Sequence, residues 1–218
     1  KNLGYGAAHN IALRDSLAND AVDYHLVINS DVYFTSDVIP KIADHLDKNP
    51  DIGQLIPNTI YPSGKEQAVV RMLPTPFDLF ARRFFPSFIS QRRDRKYLLE
   101  FWDHKREANV PYHQGSFMFL RTDALRVAGL FDERFFMYPE DIDLTRRIHR
   151  SFRTVFWPEV TIVHAHRAAS YKSLRMLWIH TANMVKYFNK WGWFFDRERR
   201  DLNCRLLKNL GYNKKTGV

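Results

Sequence analysis

Apolar positions recur along this chain in two rhythms, and the alternation between them predicts an α/β protein. Ala7, Ala8, Ile11, Ala12 and Leu17 follow a glycine-punctuated start, so Asn2 to Leu17 reads as a turn entering a helix. Tyr24-His-Leu-Val-Ile28 is a short apolar run of the kind found in a buried parallel strand. Ser36 or Asp37 can cap a helix over Val38 to Leu46, which stops before Asn49-Pro50. Ile52 to Ile60 predicts another strand, and the Tyr61-Pro-Ser-Gly64 turn a hairpin-like return through Val69-Val70-Arg71. Between Pro74 and Glu107 the rhythm breaks down into prolines, phenylalanines and basic residues, which predicts short helices in a mobile lid or acceptor-binding loop.

Order returns with a strand at Ser116 to Leu120 and a short helix capped by Thr122 and ended by Gly129. An acidic motif then opens a helix to about Arg150, and Val155 to Trp157 and Val160 to Val163 read as two short strands. Tyr171 to Lys190 carries a helical stripe of Leu174, Leu177, Trp178, Thr181, Val185 and Phe188. A second helix, Asp196 to Leu207, follows the Trp191-Gly-Trp193 turn.

The 218 residues suffice for one α/β domain with an appendage. A lone cysteine, Cys204, excludes an internal disulfide framework and a multi-cysteine zinc site. No apolar run is long enough to span a bilayer, and no signal peptide is visible. The net charge of +9 is uneven: residues 167–218 hold twelve Lys and Arg against three acids. That excess suits an anionic membrane surface or a phosphate-bearing substrate, and equally a solvated tail. Nucleic acid is not an expected partner, because the aromatics follow a helical stripe rather than alternating on a strand that could stack bases.

The candidate chemistry lies in carboxylates. Glu140, Asp141 and Asp143 fall within four residues, and a fold usually tolerates such repulsion where a metal, a cation or proton transfer uses it. An acidic first helical turn favoured by the helix dipole is the plainer reading. Asp31 follows one strand-like run and His164 ends another, so acids and a histidine gather where strands finish.

The order of motifs is Asn2-x-Gly4-x-Gly6-x-x-x-Asn10, Asn29-Ser-Asp31, Gly115-Ser-Phe-Met-Phe-Leu-Arg121, Phe131-Asp-Glu with Glu140-Asp141-x-Asp143, and His164 ahead of Ser170. This order resembles the family-two inverting glycosyltransferases, in particular the rhamnosyltransferase-like branch that builds bacterial surface polysaccharides. The resemblance implies a GT-A-type, Rossmann-like nucleotide-sugar domain over residues 1–166, with a basic amphipathic helical extension over residues 167–218. It further implies that a strand–helix–strand unit precedes Lys1, which leaves open whether this chain is active by itself. The implied donor is a nucleotide-diphosphate sugar, with rhamnose as the candidate sugar. The acceptor would be a saccharide or lipid-linked saccharide at the cytoplasmic face of the membrane.

The same resemblance assigns roles. Asn2, Gly4, Gly6, Asn29 and Asp31 would bind donor, and Asp31 and His164 would hold Mg²⁺ or Mn²⁺. Gly115 and Ser116 would face the acceptor. Asp141 would be the base, and Glu140 would hold position or contact the acceptor. Asp143, two residues beyond Asp141 and so pointing away on a helix, reads by its spacing as a capping or structural acid with Arg146 and Arg147 within helical pairing reach. Asn29 stands where the family has the first acid of an Asp-x-Asp motif. His166 competes with His164, because Arg167-Ala-Ala separates the histidines from Ser170. The alternative is a non-catalytic domain that holds nucleotide or saccharide within a larger assembly.

Overall fold

The computed structural model describes residues 2–78, 93–165 and 174–213. Six strands form one mixed sheet: β1 (Tyr24–Ile28), β2 (Val32–Tyr33), β3 (Ile52–Ile60), β4 (Ala108–Asn109), β5 (Phe117–Arg121) and β6 (Arg153–His164). Their order is β1-β5-β3-β6-β2, with β4 also paired to β6. Strands β1 and β3 are both antiparallel to β5, and β3 is parallel to β6. So β1, β3 and β6 run one way and finish at one edge, where Asn29, Asp31 and His164 stand.

Side-chain alternation on β5 explains how the sheet is covered. Phe117 and Phe119 point into a core with Val38, Ile42 and Leu46 of helix α2 (Val38–Lys48). Met118 and Leu120 point the other way. There they meet Leu13 of α1 (Tyr5–Ala18), Ala124 and Leu125 of α3 (Thr122–Ala128), and Leu144 and Ile148 of α4 (Glu140–Ile148). This is a layered α/β architecture consistent with a GT-A-like fold, followed by α5 (Leu174–Trp191) and α6 (Arg197–Asn209). No helix among the described residues is long and apolar enough to cross a membrane.

Several local expectations are corrected. The sheet is mixed, because β5 is inserted antiparallel between β1 and β3. The two expected short strands are one strand, β6, whose register against β3 jumps between Pro57/Asn58. On β6 the jump spans Pro158, which cannot donate a ladder hydrogen bond. Thr122 is the first residue of α3 rather than its cap, and its hydroxyl donates to the Val22 carbonyl at 2.8 Å. The hairpin-like return is limited to a bridge between Ile60 and Glu66, and Val70 bridges to His113. The irregular stretch keeps a described portion that packs Tyr97, Leu99 and Trp102 into buried clusters. Its middle, residues 79–92, lies outside the described residues.

The C-terminal helices are docked on the α/β unit. Tyr187, Phe188 and Leu202 share a core with Leu73, Tyr97, Tyr112, Phe135 and Ile142. The buried face of α5 therefore runs through Met184, Tyr187 and Phe188, and among the stripe residues whose burial is described only Phe188 belongs to it. The expected Trp178 is 75% exposed.

Charge fixes the same interface. Arg146 is 1% exposed and is gripped bidentately by Asp196 through two 2.7 Å bonds, with Glu198 as a second partner. The Trp191 ring lies 4.0 Å from its guanidinium carbon. Thus Arg146 does not pair with Asp143, whereas Arg147 does, donating through Nε at 2.9 Å. Breaking a buried pair by removing one partner leaves an uncompensated charge. Asp196→Ala should therefore cost about 3–5 kcal/mol in urea unfolding, and Arg146→Met combined with Asp196→Leu much less. A loss of under about 1 kcal/mol for Asp196→Ala would show that this buried pair does not hold the helices.

Candidate active site

The acidic motif is positioned from below by α1. Gly4 has φ +89°, and a Cβ there would lie 2.5 Å from the Phe136 carbonyl oxygen. A Cβ on Gly6 would lie 2.8 Å from that of Phe131. Only glycine lets the start of α1 sit this close to the Phe131–Phe136 segment. The Asn10 amide then clamps Phe131, donating to its carbonyl at 2.9 Å and accepting from its N–H at 3.0 Å. Asn2 is exposed and accepts from the Gly4 N–H at 3.0 Å. The glycine-rich motif thus has a packing reason alongside the expected approach of a nucleotide.

From there the chain turns sharply. Tyr138 has φ +96°, a conformation costly for a bulky side chain and found mostly where surrounding structure over-determines it. Its ring packs edge-on to His180 of α5 at 4.9 Å, and the Asn183 amide donates to the Met137 carbonyl at 3.0 Å. Helix α4 opens two residues later with Glu140, Asp141 and Asp143 in its first turn.

The three carboxylates face three different environments. Asp143 is wholly buried and neutralised: Lys190 lies 2.6 Å away, the Trp191 indole donates at 2.8 Å, and Arg147 takes its other oxygen. It is the structural acid expected from its spacing. Asp141 accepts from the Gly115 N–H at 2.9 Å and from the Ile142 N–H at 2.7 Å. Burial pushes its carboxyl up from the usual range, while those two N–H groups and the Arg71 guanidinium pull the other way. Glu140 is 4% exposed, and burial followed by the Asp141 charge pushes it up as well. Its Oε2 has no hydrogen-bond partner among the described residues, and neither has the buried Ser116 Oγ.

Gly115 is small because Asp141 is beside it: a Cβ there would sit 3.2 Å from the Asp141 Cβ. The Tyr5 hydroxyl donates to the Gly115 carbonyl at 2.5 Å and lies 3.4 Å from the Asn29 Oδ1. Burial, then the charges of Asp141 and Glu140, push that hydroxyl's pKa up, so it stays a donor. The Asn29 N–H donates to the Ser116 carbonyl at 3.0 Å. A continuous series of contacts therefore runs from Asp141 through Gly115 and Tyr5 to Asn29.

Two residues further on, Asp31 sits in the turn between β1 and β2. Its Oδ1 is 3.4 Å from the Nε2 of His164, the last residue of β6. Gln67 orients that ring, donating to the His164 carbonyl at 2.7 Å and meeting Nδ1 through Oε1 at 3.0 Å. A carbonyl can only accept, so the Gln67 amide nitrogen faces it and Oε1 is left to accept from Nδ1–H. A neutral His164 then turns the Nε2 lone pair toward Asp31. Two acceptors facing each other call for a proton or a cation between them. Among the described residues no group of three or more His, Cys, Asp or Glu could hold a metal. The pair fits a cation that completes its shell with substrate phosphates, as Mg²⁺ commonly does.

Every expected site residue within the described chain lies along this edge or on α1 beneath it, and His166 lies outside the described residues. Sequence reading missed Tyr5, Gln67, Arg71 and Tyr138. Tyr5 is an unspecified position inside the glycine motif. Gln67 and Arg71 follow a turn whose return path has no regular period, so no pattern marks them.

In the folded chain both raised carboxyls keep their protons to higher pH than in the unfolded chain, whose groups titrate near pH 4. The folded state then binds more protons between about pH 4 and neutrality, so stability from this pair is present below that range and lost as pH rises through it. The melting temperature should fall more steeply for the wild type than for Glu140→Gln/Asp141→Asn as pH rises from about 5 to about 8. Parallel curves would mean that neither carboxyl is raised.

The chain belongs to the family of rhamnosyltransferase-like glycosyltransferases. It is 32% identical over 181 residues to an N-acetylglucosaminyl-diphospho-decaprenol L-rhamnosyltransferase of Mycobacterium tuberculosis, found in two strains. The match takes in 78% of this chain and 57% of the relative, so the chain spans little more than half the length of the curated relatives it matches. No family model matches. Among solved structures, a mannosyltransferase from Pyrobaculum calidifontis in complex with GDP-Man and Mn²⁺ aligns with a TM-score of 0.46 and 15% identity. That alignment covers 95% of this chain and 55% of the other.

Proposed function

We propose that this chain, a relative of rhamnosyltransferase-like glycosyltransferases, forms the catalytic part of an inverting enzyme. The enzyme moves a sugar from a nucleotide-diphosphate donor to a hydroxyl of a saccharide acceptor. The observation that carries this reading is one edge holding both a backbone-fixed carboxylate, Asp141, and a paired Asp31 and His164. The first suits proton removal, the second a diphosphate.

In a single displacement, the acceptor oxygen attacks the anomeric carbon, its proton passes to Asp141, and the bond to the diphosphate breaks with inversion. Asp141 suits the base role because its two N–H donors fix the carboxylate while burial raises its proton affinity toward neutrality. Glu140, raised from the usual range by burial and then by Asp141, is suited to offer a proton as a hydrogen-bond donor to the acceptor. Gly115 lets the Asp141 carboxylate sit against the start of β5 on the acceptor side, and the buried Ser116 hydroxyl is a further polar group there for the sugar. Asn2, Gly4, Gly6 and Asn29 lie on the donor side. Asp31 and His164 would hold Mg²⁺ or Mn²⁺, which offsets the charge that grows on a departing diphosphate.

Residues 1–166 would be the transferase unit and residues 167–218 a helical extension docked on it. The curated relatives are named for a lipid-linked diphosphosaccharide acceptor and for rhamnose. We carry both to this chain as the preferred acceptor and donor sugar, with surface or cell-wall polysaccharide as the product and the cytoplasmic membrane face as the place of work.

In the full-length protein, Asp141→Asn should lower turnover by about 10²–10⁴ with donor affinity nearly unchanged. Glu140→Gln should cost less, and the reverse ranking would exchange the two roles. Asp31→Asn and His164→Ala should weaken donor binding, measured by calorimetry, in Mn²⁺ but not in chelator. Equal donor affinity for Asp31→Asn and wild type in saturating Mn²⁺ would remove Asp31 from the diphosphate site.

A further inference from the structure

The turn between α5 and α6 presents two phenylalanines to solvent: Phe194 is 77% exposed and Phe195 is 97% exposed. A soluble fold has little reason to leave adjacent large apolar side chains uncovered, and such tips commonly mark a contact surface. Here the tip is also rigid. Gly192 takes φ +99° to make the turn, and Arg199 Nη2 donates to the Trp193 carbonyl at 2.9 Å. The Trp193 indole is fixed by Asn189 at 2.8 Å, and Asp196 caps α6 by accepting from the Arg199 N–H at 2.9 Å. Phe194 and Phe195 are thus held out on a preorganised support, which limits the ordering cost of inserting them into anything.

The charges around the tip have been sorted. The two acids nearest to it, Asp196 and Glu198, are both turned inward onto Arg146, and Glu198 also meets Arg150. Arg197 and Arg200 remain exposed, three positions apart on the first turns of α6 and so on neighbouring faces, with the exposed Asp201 carboxylate 3.7 Å from the Arg200 Nε. What faces outward is therefore an aromatic pair beside cationic side chains. This combination suits the headgroup layer of an anionic bilayer, where aromatic rings lodge at the interface and arginines meet lipid phosphates.

We propose that Phe194 and Phe195, flanked by Arg197 and Arg200, form a wedge that docks the protein on an anionic phospholipid surface. Phe188 is buried in the core, Trp191 stacks under Arg146, and Trp193 packs on Phe188 with ring centroids 5.2 Å apart. Docking would hold the protein at the surface in which a lipid-linked acceptor resides. That benefit rests on the proposed reaction, but lipid binding itself requires no catalysis and is read without any sugar.

The test is co-sedimentation of the protein with phosphatidylcholine vesicles and with vesicles that also contain phosphatidylglycerol, at low and high salt. Binding should need phosphatidylglycerol and weaken with salt. Phe194→Ser/Phe195→Ser should lower vesicle affinity by at least about tenfold. Arg197→Gln and Arg200→Gln should each lower it roughly fivefold. Unchanged circular dichroism and melting of the variants would place those losses at the surface. Binding equal in wild type and the phenylalanine variant, or no binding at low salt, would overturn the proposal. A concentration-dependent dimer in sedimentation velocity that the phenylalanine variant abolishes, without vesicle binding, would assign the wedge to a second copy of the chain.

Discussion

Two neighbouring carboxyl groups buried at the start of one helix impose the condition that the rest of the structure meets. Burying a charge costs several kcal/mol unless donors or opposite charge take the place of water. Asp141 obtains two backbone N–H groups and the nearby Arg71, and the start of α4 adds the favourable end of a helix dipole. For Glu140, burial and then the Asp141 charge outweigh the backbone hydrogen bonds it receives, and its proton affinity rises. Both carboxyls are raised from the usual range, and raised carboxyls side by side suit proton transfer.

The third acid explains why the C-terminal helices belong to the site. Asp143 is turned away from the edge onto Lys190 and Trp191 of α5. Arg146, one helical turn on, reaches Asp196 and Glu198 at the start of α6. The outer face of α4 is therefore bolted to both C-terminal helices, while its first turn faces Gly115. The strained Tyr138 is pinned by the same helix through His180 and Asn183. A shift of α5 would move the segment that delivers Glu140 and Asp141, so the basic extension is a support for the site as well as a surface.

Much of this was legible in the sequence where local rules govern. The helix and strand periods over residues 5–60 and 117–164 hold closely, because each strand alternates between two covered faces, as Phe117 and Met118 do. The spacing of Asp143 from Arg147 is a helical i,i+4 relation, so that pair was readable. Arg146 was not, because its partners lie some fifty residues on and nothing local announces Asp196. The meeting of Asp31 with His164 followed from strand-end logic. Gln67, which orients the imidazole, depends on a tertiary contact that no period encodes. The buried stripe of α5 was misplaced because several helical registers there are comparably apolar, and the docking surface on Tyr97 and Tyr112 selects among them.

The central claim is that this edge transfers sugar from a nucleotide donor under the control of Asp141. Its most direct test mixes the full-length protein with a panel of nucleotide-diphosphate sugars and a lipid-linked saccharide, following nucleoside diphosphate release in Mg²⁺ and in Mn²⁺. The account predicts release that depends on the acceptor with at least one donor, together with a matching glycosylated product of inverted anomeric configuration. Product that retains the donor's configuration, or no acceptor-dependent release from any donor, would contradict it.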